Sequence, residues 1–288
     1  MIWNLGSINI DHFYEVSHLP RAGETLAARS YGFGLGGKGA NMSVAAARGA
    51  ARVSHIGAVG VDGLWTRDRL LEYGVDIPHI ARIDAPTGHA NIVVEEGGEN
   101  NIVLFQGANV QLTEAIIGAA LTEASPGDYL LMQNETNGQE YAAATAKSLG
   151  MRVIYAAAPF EAAAVARLVR RIDVLVLNEG EAAQLETEME TTLAALGVRD
   201  IIVTLGAEGC RWVTPTSETR LPAYPADAVD TTGAGDTFTG YLAAGLDRAM
   251  PTEAAIDLAL KAGALMVTRR GTADVIPDLK EIQDLFGL

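Results

Sequence analysis

Basic residues are scarce in this 288-residue chain: 21 Lys and Arg stand against 36 Asp and Glu, a formal net charge of −15. No run of Lys and Arg could track a polyanion, which argues against nucleic acid as a partner. A nucleotide would have to be held locally, by backbone N–H groups, a metal and a few cations, because the overall field repels it. Cysteine is nearly absent, with Cys210 alone. That excludes a disulfide framework and a thiolate metal cluster, and fits a reducing cytoplasm. No apolar run approaches the ~18 residues of a membrane span. The opening MIWNLGSINID also lacks a basic segment followed by a long apolar one, so a soluble, cytoplasmic protein without a membrane partner is expected. His12, His18, His55, His79 and His89 show no metal-ligand spacing and read as structural or surface groups, and Trp3, Trp65 and Trp212 as packing residues.

What remains is 49% hydrophobic, enough for one large α/β domain or two smaller ones. Ile2 to Leu5 with Ile8 reads as a buried strand leading into Asn9 and Asp11, which places two hydrogen-bonding side chains at a strand's carboxyl end. Short strand-like runs at 11–16, 25–31, 87–95 and 101–105, with Gly97-Gly98 as a hairpin turn, predict a small separate sheet. Runs at 53–59, 129–133, 153–156, 174–177 and 201–205 carry the mark of parallel strands buried on both faces. Helices are expected at about 64–73, 113–122, 160–169, 252–268 and 277–286. The expected fold is α/β, a doubly wound, mostly parallel central sheet flanked by helices, with ligands outside the carboxyl ends of its strands. Asn9, Asn134, Glu135, Asn178 and Thr204 fall at such ends. A single domain over residues 1–288 is expected, carrying a discontinuous β lid at roughly 11–34 and 86–107.

The chemically densest stretch is AVDTTGAGDTF, residues 228–238. Gly233 and Gly235 allow a sharp turn in which peptide N–H groups converge on one point, and such a point favours an anion. Phe238, Tyr241, Leu242, Gly245 and Leu246 then repeat at helical spacing, so Asp236 sits in the first turn near the positive end of the helix dipole. An anion hole beside a carboxylate suits phosphoryl or acyl chemistry. By itself, Asp236 could equally be a helix N-terminal acid stabilised by the dipole.

A second stretch, residues 31–50, reads as a glycine-dense loop feeding an alanine-rich helix whose small side chains permit close packing. Gly32, Gly34 and Gly37 spell a dinucleotide fingerprint, but no acid follows before Asp62 to hold a ribose, so an oxidoreductase reading fails. Gly32, Gly37 and Lys38 spell a phosphate loop, but Gly39 stands where a Ser or Thr would hold magnesium.

The pairing of GGKGAN at 36–41 with DTTGAGDTF at 230–238 resembles the two signatures of the ribokinase-like (PfkB) carbohydrate kinases, in order and separation. The likeness extends along nearly the whole chain, through NID at 9–11, GENNIVLFQGAN at 98–109, LLMQNE at 130–135, NEGE at 178–181, VTLGAEG at 203–209 and VTRRG at 267–271. It implies an ATP-dependent kinase with Asp236 as general base and the backbone of Gly233, Ala234 and Gly235 as anion hole. The acceptor would be the primary hydroxyl of a pentose, D-ribose first. Its hydroxyls would be held by Asn9, Asp11, Gly37, Lys38, Asn41 and Glu135. The resemblance further implies that Asn178 and Glu181 position magnesium and phosphate, Glu181 through water, and that Thr204, Gly206 and Gly209 line the nucleotide site. It implies potassium near Asp230, Thr232 and Gly271, and a homodimer joined through the lid. Fructose, a ketodeoxy sugar acid or a nucleoside is the alternative acceptor, and a non-catalytic sugar or nucleotide sensor the alternative role. Three positions depart from the family pattern: Ala156 replaces an asparagine, Leu260 a histidine near the adenine, and Val275 a serine near the cation.

Overall fold

The computed structural model describes residues 1–287; Leu288, the last residue of the expected domain, lies outside the described residues. Strand β1 (Ile2–Leu5) is followed by β2 (Asn9–Val16), β3 (Ser30–Gly36) and helix α1 (Lys38–Arg48). Next come β4 (Val53–Val59), α2 (Leu64–Glu72), β5 (Ile80–Arg82), β6 (Gly88–Glu95), β7 (Asn100–Phe105) and α3 (Glu114–Leu121). A βα rhythm follows: β8 (Tyr129–Met132), α4 (Gln139–Ser148), β9 (Arg152–Ala156), α5 (Ala162–Leu168), β10 (Val174–Asn178), α6 (Glu179–Glu188) and β11 (Asp200–Thr204). The chain ends with β12 (Cys210–Val213), β13 (Glu218–Leu221), α7 (Ala234–Asp247), α8 (Thr252–Met266) and α9 (Leu279–Phe286).

Nine strands form one sheet in the order β13-β12-β11-β10-β9-β8-β1-β4-β5. All neighbours are parallel except β11 with β12 and β12 with β13. Side chains alternate between two cores, as in β8, where Tyr129 and Leu131 face α1, α7 and α8 while Leu130 and Met132 face α3 to α5. From β1 the chain proceeds to β4 on one side, and the later parallel strands lie on the other. The strand order therefore reverses between β1 and β8, the place where open α/β sheets bind ligands.

A second sheet, β3-β2-β6-β7, stands apart. Two expectations need correction here. Asn9 and Asp11 do not end β1; they open β2, at the root of the second sheet. The strand expected at 25–31 lies at Ser30–Gly36, so the glycine-dense stretch is mostly strand and only Gly37 makes the turn into α1. The reason is steric. Gly34 pairs with Asp11, and a Cβ on Gly36 would come within 1.9 Å of the Asp11 carboxylate. Glycine in β3 keeps space open above that group rather than forming a loop.

Candidate active site

Asp236 is set by the packing of α7 on α1. A Cβ on Gly240 would meet Ala45 Cβ at 2.4 Å and Met42 carbonyl at 2.6 Å, so glycine at that position lets the two helices approach closely. That approach brings Asn41 Nδ2 to 2.9 Å from Asp236 Oδ2 and Lys38 Nζ to 4.0 Å from Oδ1. Asp236 is 7% exposed, and burial raises its pKa above the usual carboxylate value, with Lys38 and Asn41 opposing. The nearby Asp236 carboxylate raises the pKa of Lys38, against its own burial.

Gly233 caps α7 in the left-handed region, φ 72°, which glycine adopts without the usual side-chain penalty. The Ala234 N–H donates to Thr231 carbonyl at 3.2 Å. Among the described residues, the N–H groups of Gly233, Gly235 and Asp236 find no backbone acceptor and remain for an anion.

Opposite Asp236, Glu135 follows β8 and is gripped from two sides. Its Oε2 accepts from Ser7 Oγ at 2.5 Å and from the Lys38 N–H at 3.0 Å. Burial raises its pKa, while Ser7 and Lys38 oppose the shift. Asp11 is buried without a side-chain hydrogen bond among the described residues. Its pKa is pushed up to about 7 by burial first and then by Glu135 and Asp236. Asn9 Oδ1 accepts from Asn109 Nδ2 at 2.7 Å, which leaves the Asn9 amide N–H groups to a ligand. Asn41 spends its amide on Asp236, and its buried Oδ1 has no partner. The pocket thus offers donors from Asn9 and Lys38 interleaved with acceptors from Asp11 and Glu135, the pattern a polyol satisfies, while Asn41 faces Asp236. Gly37, φ 92°, forms the turn between β3 and Lys38.

Two residues of this site carry no sequence signature of their own. Ser7 holds Glu135, and Asn109 fixes Asn9 while its own Oδ1 accepts from the Ile8 N–H at 2.9 Å. Asn109 closes the quoted GAN segment, so the resemblance touched it without giving it work.

On the other flank of α7 a cavity of about 1140 Å³ is lined by Thr204, Gly206 and Gly209 from one side and by Ala234, Gly235 and Leu260 from the other. Asn178 and Glu181 form a reciprocal capping box at the start of α6, each accepting from the other's backbone N–H at 2.8 Å. One Glu181 oxygen is thereby committed, and burial raises the Glu181 pKa. Asp230 accepts from Thr232 N–H at 2.9 Å and Gly271 N–H at 3.2 Å, so the three residues implicated for potassium do converge. Ala156, at the end of β9, brings no polar side-chain atom, and Val275 lies against Gly271.

A buried helix-borne carboxylate and an anion-binding helix terminus, between a polyol-type pocket and a large cavity, define an α/β phosphotransferase. The chain belongs to the pfkB family of carbohydrate kinases, whose profile matches residues 1–279. It is 36% identical over 293 aligned positions to a ribokinase of Haemophilus influenzae, covering 96% of this chain and 95% of that one. Among solved structures it is similar to a ribokinase of Thermotoga maritima, with TM-score 0.89, 31% identity, and 100% and 99% of the two chains covered. It is also similar to an Arabidopsis thaliana ribokinase complexed with ribose and ATP, with TM-score 0.86, 27% identity, and 100% and 98% covered. Among the described residues, no helix is long and apolar enough to cross a membrane.

Proposed function

We propose that this kinase transfers the γ-phosphate of ATP to the primary hydroxyl of D-ribose, giving D-ribose 5-phosphate. The observation that carries the reading is the buried Asp236 carboxylate, fixed by Asn41 and Lys38 between the polyol pocket and the free N–H groups of α7. Asp236 takes the hydroxyl proton as the oxygen bonds to the γ-phosphorus and the bond to ADP breaks. Its raised pKa brings the base nearer to neutral pH, where proton transfer is most effective, and such a base contributes about 10² to 10⁴ in rate. The N–H groups of Gly233, Gly235 and Asp236 meet the charge on the transferring phosphoryl group. Asn9, Asp11, Lys38, Asn41 and Glu135 hold the sugar, with Gly37 giving it backbone access. Thr204, Gly206 and Gly209 line the nucleotide site.

Among the described residues, no three carboxylate, histidine or cysteine side chains converge as a metal site. Magnesium keeps its waters and binds through nucleotide phosphates and one or two protein carboxylates. Asn178 and the uncommitted oxygen of Glu181 would hold it through water; when bound, it neutralises phosphate charge. Potassium would be held near Asp230, Thr232 and Gly271, which the Asp230 carboxylate draws together. The second sheet serves as a lid that excludes water. Its edge strand β7 is exposed throughout, with Ile102 53% and Val103 62% exposed, and a second copy covering it would make a homodimer. The protein works in the cytoplasm. The test is an ADP-release assay across sugars and nucleosides with magnesium, with and without potassium. Turnover fastest on ribose is expected, and folded protein inactive on every acceptor would overturn the proposal.

A further inference from the structure

Beneath the acceptor pocket runs a set of polar side chains that the mechanism leaves unused. Asn4, Ser43, His55 and Gln133 are each fully buried. Gln133 Nε2 donates to Asn4 Oδ1 at 2.8 Å, and Asn4 Nδ2 donates to Ser43 Oγ and to Gly39 carbonyl, each at 2.7 Å. Ser43 Oγ lies 2.8 Å from His55 Nδ1, and His55 Nε2 lies 3.0 Å from Gly6 carbonyl. A carbonyl only accepts, so Nε2 carries the ring proton. In the neutral ring Nδ1 then accepts from the Ser43 hydroxyl, which itself accepts from Asn4. With the neutral ring every bond runs one way, from Gln133 through Asn4, Ser43 and His55 to Gly6. Burial pushes the His55 pKa down to about 4, consistent with the neutral ring this direction requires.

The run ends on two backbone positions that touch. A Cβ on Gly6 would come 2.6 Å from Gly39 Cα. Gly6 precedes Ser7 and Gly39 follows Lys38, and Ser7 Oγ and the Lys38 N–H are the two groups that grip Glu135 Oε2. The Ser7 hydroxyl also accepts from the Gly39 N–H at 3.1 Å, tying both ends to the same carboxylate. We infer that His55, through its bond to the Gly6 carbonyl, is a positioning residue for Glu135 and so sets the affinity for the acceptor sugar. This inference rests on the sugar-kinase reading above. The buried set acts as a unit, because breaking one link leaves a donor or acceptor unpaired in a low-dielectric interior.

Two substitutions of similar polarity separate placement from mere filling. Gln reaches as far as Nε2 and can restore the donor to Gly6, whereas Asn reaches only the Nδ1 position and faces Ser43. His55→Gln should keep the sugar KM within about threefold of native, while His55→Asn should raise it roughly tenfold, as loss of one buried hydrogen bond implies. Both should leave KM for ATP within about twofold. Equal sugar KM values for the two variants, or a parallel rise in KM for ATP, would overturn the inference. Should His55→Asn fail to fold, Ser43→Ala, which removes a single hydroxyl, should raise the sugar KM about threefold with KM for ATP unchanged; an unmoved sugar KM would count against it. A native protein inactive on every sugar sinks the kinase reading, whereas an active native protein with indifferent His55 variants sinks only this one.

Discussion

On the acceptor side of α7, Asn9, Asp11, Asn41, Glu135 and Asp236 are all under one-tenth exposed; Asn41 is bonded to Asp236, Asn9 to Asn109 and Glu135 to Ser7. On the donor side, the cavity of about 1140 Å³ is lined by glycines, alanines and apolar side chains such as Leu260 and Phe286. On the proposed reading, the acceptor side recognises through fixed, desolvated polar groups, which would reject any sugar that leaves one of them unpaired. On the same proposed reading, the donor side recognises through backbone N–H groups and shape, as a nucleotide in a protein of net charge −15 requires. Asp236, so read, lies between the two sides and serves both.

That shared role gives the largest expected effect. Asp236→Asn keeps the shape and the helix N–H groups, so ATP binding by calorimetry should be near native while turnover falls by at least ~10². An unchanged rate would remove Asp236 from the base role. Next in size is the donor side. A Cβ on Gly235 meets no atom within 4 Å and its φ is unstrained, so Gly235→Ala should fold normally. The methyl would stand where a phosphate approaches the N–H groups, raising KM for ATP about tenfold while the sugar KM holds. If the sugar KM rose instead, the division between the two sides would be wrong.

The acceptor side is tested by pH. Protonation of Asp236, whose pKa is raised by burial, should cut kcat as pH falls, with the acid limb lying above the ordinary Asp value of 3.8. Smallest is a stability effect at Asp11. Its folded pKa of about 7 lies above 3.8, so the folded chain holds an extra proton between those values and loses stability as pH rises through that window. Asp11→Asn should therefore raise Tm by about 3 °C or more at pH 8, change it little below pH 4, and weaken sugar binding. A lower Tm at pH 8 would show that the Asp11 carboxylate is not strained by its neighbours.

The βα order, the anion-binding turn at Gly233 and the paired signatures at 36–41 and 230–238 were legible because they are local: period, turn chemistry and spacing lie within a few residues of one another. The strand Ser30–Gly36 was not, because its glycines mimic a loop and only the carboxylate of Asp11 across the sheet explains them. Ser7 and Asn109 were missed for a related reason. Ser7 reaches Glu135 across 128 positions, and Asn109 reaches Asn9 across 100, with no local pattern to announce either. The Asn178 and Glu181 pair was visible as N-x-x-E, yet the fold shows it first as a helix cap. Sequence by itself determined the fold class and the family and singled out Asp236 as the proposed base, since these depend on residue types in order. Tertiary structure alone decided what Asp236 touches, which polar groups stay free for a ligand, and that His55 is buried between Ser43 and the Gly6 carbonyl. The neutral ring of His55 follows from its burial, which lowers its pKa, and hydrogen-bond direction then follows from that form; both exist only once distant segments are packed together.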